Sequence, residues 1–156
     1  MAFHAAMVAD QDRGILLCAP RESGKGTLTV SLVARGFDLL TDEPALLRLD
    51  TGTVSPLCFP VSLKKGSWPV LLSLWPKLVD APLHVRSDGT EIRLLHAPQA
   101  RLSSLPRRLT HFIFPEYSPS SSDETKQLSP LHALGFLNEG GMLLSRHLKR
   151  ITLKHF

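Results

Sequence analysis

Several common routes to chemistry are closed by what the chain lacks. It has two cysteines, Cys18 and Cys58, far apart and outside any C-x-x-C pair. That spacing excludes a thioredoxin-like motif and suits reduced core thiols in the cytosol. The seven histidines form no H-x-x-x-H pair, so no zinc site is expected. No apolar run approaches the ~20 residues that span a bilayer. The opening "MAFHAAMVADQDRG" has neither the basic start nor the long apolar stretch of a secretory leader. The hydrolase pattern G-x-S-x-G does not occur, and no internal repeat is visible. Net charge is +4, which favours small anionic partners such as nucleotides but is too weak to imply nucleic acid. A cytoplasmic protein without a membrane partner is the expectation.

What is present is ordinary globular material. A chain of 156 residues, 43% hydrophobic and 21% charged, bounds a single domain. Phe3 to Ala9 reads as a short apolar strand, closed by the polar turn "DQDRG". Ile15 to Cys18 is a second strand, apolar throughout as in strands buried on both faces. "KGTLTVSLVARG" then places Leu28, Leu32 and Val33 at helical spacing, with Gly36 as the stop. "FDLLT" is a third strand, ending at Asp42 and Glu43 before Pro44.

Beyond residue 50 the pattern turns β-rich. "ALLRLD" and "VSPLCF" read as strands joined through "TGT". "SWPVLLSLWPKL" reads as a short helix limited by Pro76, and "HVRSDGTEIRLL" as a hairpin turning at Asp88-Gly89. "LTHFIFPEY" is a further strand. The polar, serine-rich stretch 118–128 is expected to be a surface loop. "SPLHALGFLNEGG" is expected to be a helix opened by Ser129-Pro130 and closed by Gly140-Gly141. The chain therefore divides into a core over 1–50, a β-rich continuation over 51–117, the loop, and a C-terminal helical segment over 129–156. The fold class is mixed α/β.

The chemistry concentrates in "ILLCAPRESGKGTLTVSLV", from Ile15 to Val33. A phosphate cradle needs a buried strand that ends abruptly, a loop of inward backbone N–H groups, and a helix N-terminus facing the anion. A lysine reaches the β- and γ-phosphates and a following hydroxyl holds Mg²⁺. Strand, Gly24-Lys25 pair and helix stand here in that order. Measured against G-x-x-x-x-G-K-[ST], Ala19 replaces the first glycine and Gly26 replaces the hydroxyl residue, with Thr27 one place later. Glu22 adds a carboxylate to the loop. About 4 Å from a phosphate, it would cost roughly ten- to a thousand-fold in affinity. It is tolerable if the side chain turns outward or pairs with Arg21. The nucleotide-binding set is thus Pro20, Arg21, Glu22, Ser23, Gly24, Lys25, Gly26 and Thr27, read as an altered cradle.

With "FHAAMVAD" before the loop and "GFDLLTDEPALL" after its helix, the chain resembles the HPr kinase/phosphorylase family, and more closely its serine-kinase relatives. "PVSLKKGSWP" and "FIFPEY" are similar to further segments of those kinases. The resemblance implies a phosphate-loop mixed sheet of the HPr kinase and phosphoenolpyruvate carboxykinase type, with β-hairpins after the nucleotide-binding core. Pro20, Ser23, Gly24, Lys25 and Thr27 match the family's loop; Ala19, Arg21, Glu22 and Gly26 depart from it. By the same resemblance, Asp42 is the general base toward a serine hydroxyl, Glu43 a Mg²⁺ ligand, and His4 a catalytic residue orienting that acid pair. Relatives carry an N-terminal region before the core strand, so a truncated copy is a further expectation.

The expected function is therefore ATP- and Mg²⁺-dependent transfer of a phosphoryl group to a serine of a protein or peptide, in a possible homo-oligomer. The defects at Ala19, Glu22 and Gly26 support an alternative, a catalytically impaired nucleotide-binding or relict domain acting through partners. A nucleoside-monophosphate kinase rests on "GKGT" alone. The strand-like "ALLRLDTGTVSPLCF" stands where such enzymes continue with helices.

Overall fold

The computed structural model describes residues 1–20, 22–118 and 124–140. Strands build most of it, the central ones buried almost continuously and β7 (Val61–Lys64) alternately. β1 (Ala2–Phe3) and β2 (Ala5–Asp10) open the chain, and β3 (Arg13–Cys18) returns antiparallel to β2 across a turn. The expected continuous strand over Phe3 to Ala9 is instead broken at His4. β1 pairs with β5 (Ala45–Arg48), whereas β2 pairs with β3 and with β4 (Asp38–Thr41). One run of backbone thus serves both ends of the sheet, which curls as a result.

The remaining strands of this sheet are β6 (Thr53–Val54), joined to β5 by the expected tight turn, and β10 (Arg107–Ile113). The seven-stranded order is β1-β5-β6-β10-β3-β2-β4, with β10 parallel to β3 and the other pairs antiparallel. The second expected strand of the "VSPLCF" hairpin is shorter than foreseen: pairing with β5 stops at Val54, and Pro56 cannot donate to a ladder. A separate three-stranded antiparallel sheet holds β7 (Val61–Lys64), β9 (Glu91–Leu95) and β8 (Leu83–Val85) in the order β7-β9-β8. Its hairpin turns at Asp88-Gly89 as the sequence indicates, with Gly89 at φ 79°.

Helix α1 (Lys25–Ala34) packs Val30 and Val33 against Val8 and Leu39 of the large sheet and Val61 and Leu63 of the small one. Its buried face is therefore Thr29, Val30 and Val33, one step round from the expected Leu28, Leu32 and Val33. The helix lies between two sheets, so its apolar surface is not a single stripe. The expected helix around Trp68 is two pieces, α2 (Trp68–Leu71) and a 3-10 turn at Pro76–Asp80, because Pro76 cannot donate within a helix. Trp75 Nε1 donates to Val30 O at 3.3 Å and so ties this segment to α1. On the opposite face of the large sheet, Phe3, Met7, Leu16 and Leu40 form a second core with Leu137 of α3 (Pro130–Gly140). Among the described residues, no helix is long and apolar enough to cross a membrane.

Candidate functional site

The loop between β3 and α1 sits where the curled sheet and the small sheet meet. β3 ends at Cys18, which is buried, as is the following Ala19. Burial pushes the Cys18 thiol up to about 12, so it is an inert core group. Pro20 follows at the surface, and its carbonyl accepts the Ser23 hydroxyl at 2.8 Å. Arg21 lies outside the described residues. Glu22 adopts φ 71° and Gly24 φ 85°, left-handed backbone that glycine takes freely and a Cβ resists. Glu22 does turn outward, but its partner is Lys64 at 2.9 Å. The Lys64 hydrogen bond holds its carboxyl below the usual range.

Gly24 is the N-cap of α1, and no side chain caps the helix. No acidic residue lies in its first turn. Lys25, Gly26 and Thr27 supply that turn, so their amides are the orphan donors of an N-terminus whose dipole favours an anion. Gly26 faces β7: a Cβ there would lie 3.6 Å from Ser62 O, ordinary contact. Tyr117, 73% exposed, stands with its Cβ 3.5 Å from where a Gly24 Cβ would be.

Three residues named from distant parts of the sequence come together here. The Lys25 side chain is only 11% exposed and its Nζ lies 3.2 Å from His4 O and 3.4 Å from Glu43 Oε2. His4 Nδ1 contacts Glu43 Oε1, so Glu43 is held between an ammonium and an imidazole. The break in the first strand puts His4 here: the bend releases its carbonyl and ring from sheet pairing toward the loop. Asp42 directly follows β4, beside Glu43, and its Oδ2 accepts the Ser62 amide at 3.2 Å. Burial pushes the Asp42 carboxyl above its ordinary 3.8, opposed by the Ser62 amide and the Lys25 charge. The Glu43–Pro44 peptide is cis.

Sequence reasoning missed the contribution of the small sheet. Ser62 and Lys64 share one face of β7; the Ser62 amide reaches Asp42 of the acid pair, and the Lys64 side chain reaches Glu22 of the loop. Arg86, just after β8, donates from Nη2 to Ser62 Oγ at 3.0 Å and adds positive charge near Asp42. The available signal was the i, i+2 spacing of Ser62 and Lys64, which predicts a shared face but not which face.

Two carboxylates and a lysine at an uncapped helix end can do specific chemistry. Mg²⁺ needs only one or two carboxylates when phosphate oxygens and water complete its shell. Glu43, the expected Mg²⁺ ligand, supplies one such carboxylate, although among the described residues no group of three His, Cys, Asp or Glu could hold a metal alone. No family model, no curated protein and no solved structure matches the chain.

Proposed function

We propose that the chain is an ATP-dependent serine kinase-like protein, transferring the γ-phosphoryl group to a serine of a protein or peptide. One observation carries this reading: Lys25, Glu43 and Asp42 meet at the uncapped N-terminus of α1. Lys25 and the first-turn amides grip the phosphates. Glu43 would hold Mg²⁺, which would neutralise charge on the phosphates. Asp42 takes the proton of the serine hydroxyl; its raised basicity suits it to that task at neutral pH. His4 braces Glu43. The phosphate-loop architecture of the HPr kinase/phosphorylase family belongs to the same proposal.

A second reading, a nucleotide-binding or relict domain without catalysis, is favoured by Glu22 in left-handed backbone and by Lys25 already engaged with Glu43. Calorimetric titration with Mg-ATP separates the two. The expected result is saturable, Mg²⁺-dependent binding weakened roughly tenfold or more in Lys25→Ala, with label passing to a serine peptide and lost in Asp42→Asn. Binding without transfer leaves the second reading. No heat at millimolar nucleotide removes the kinase.

A further inference from the structure

We infer that Ser62 is itself a phosphate acceptor of this site, modified within its own chain, with Arg86 holding the phosphate it gains. The inference rests on the nucleotide-binding reading above and deepens it by naming a substrate hydroxyl.

Three observations converge on Ser62. Its amide donates to Asp42 Oδ2 at 3.2 Å, so its hydroxyl lies within one side chain's span of the proposed base. Its carbonyl lies 3.6 Å from where a Gly26 Cβ would stand, so β7 runs beside the first turn of α1. Its Oγ already accepts from Arg86 Nη2 at 3.0 Å. Among the described residues, no carboxylate lies within ion-pair distance of the Arg86 guanidinium. An arginine of this kind, beside a serine, is a ready partner for a phosphoserine dianion. Ser62 is only partly buried, and its hydroxyl lies on the face of β7 that Arg86 reaches.

The step balances. Ser62 Oγ forms a bond to the γ-phosphorus of ATP while the bond from that phosphorus to the bridging oxygen breaks. The leaving oxygen keeps the electron pair and departs with ADP, and Asp42 receives the Ser62 proton. Arg86 then turns its donors from the hydroxyl to the new phosphate oxygens.

The test uses the whole chain incubated with Mg-ATP, with peptide mass spectrometry to locate phosphate and calorimetry to follow nucleotide binding. The expected result is phosphate on Ser62, with a fractional rate independent of protein concentration, as an intramolecular step requires. Nucleotide binding with no phosphate on Ser62, or a rate rising with protein concentration, overturns this inference and leaves the binding site intact. Absence of nucleotide binding removes both. A readout without ATP follows from chain synthesised with phosphoserine at position 62. It should melt above the unmodified chain, and Arg86→Gln should abolish that gain; an equal gain in both backgrounds would overturn the role of Arg86.

Discussion

At the scale of single residues, Asp42 and Glu22 are both set against the stability of the chain. Burial raises the Asp42 carboxyl above 3.8, so the folded state holds its proton to higher pH than the unfolded state. Stability from this group is whole below 3.8 and is lost as pH rises through the folded value. Asp42→Asn keeps an acceptor for the Ser62 amide and never ionises. It should therefore melt above the wild type at about pH 7 and no higher at about pH 3, while phosphoryl transfer disappears. A melting series that shows no gain at neutral pH would contradict the raised basicity. Glu22 carries a Cβ at φ 71° and its carboxylate is fully exposed. Glu22→Gly should raise the melting temperature by roughly 2–8 °C; a fall would mean that the Lys64 contact outweighs the backbone strain. Glu22 was legible from sequence as an intruder in the loop. Its partner was not, because Lys64 is remote in the chain and only the fold brings it near.

Among the elements, the pairs most easily read were those written in adjacent residues. The Asp88-Gly89 hairpin, the β5–β6 turn and the strand–loop–helix around Lys25 all follow from local turn and cap chemistry. The insertion of β10 between β6 and β3 was not legible, since its parallel partner lies more than half the chain away. That pairing makes Gly14 critical. A Cβ there would lie 2.6 Å from Arg108 O of β10 and would also meet Met7 Cε. The backbone oxygen cannot yield without disturbing the ladder. Gly14→Ala should cost about 1–3 kcal/mol by denaturant melt, whereas Gly66→Ala, open on all sides, should be close to neutral. Equal stability of the two variants would refute the close β3–β10 approach.

For the molecule as a whole, about half of the site was written in the sequence and half in the topology. The loop and acid pair flank one βαβ-like unit, so their meeting follows from short connections. Ser62, Lys64 and Arg86 arrive on a second sheet whose docking onto α1 depends on Val61, Leu63, Leu71 and Leu95 packing beside Val30 and Val33. No local pattern specifies that face-to-face choice. The small sheet thus forms the wall opposite the loop, and weakening its core should injure the site before the large sheet. Leu63→Ala should cost about 2–5 kcal/mol and reduce Mg-ATP affinity, with β2 and β3 amides remaining protected in hydrogen exchange; loss of protection in those strands together with β7 would show a single inseparable unit.

The bend at His4 joins the seam of the curled sheet to the lysine that faces the loop. β1 clasps β5 on one side of that bend, and the His4 carbonyl holds the Lys25 ammonium at the bend itself. The seam is therefore a hinge pin with the Lys25 cation resting on it. Whatever draws Lys25 away tugs on the pin, and whatever fixes Glu43 between His4 and a metal tightens it. Amide exchange at Phe3 and Ala45, far from any nucleotide atom in chain terms, should slow when Mg-ATP is added and return when the metal is chelated. Unchanged exchange there would mean that the pin turns freely of its load.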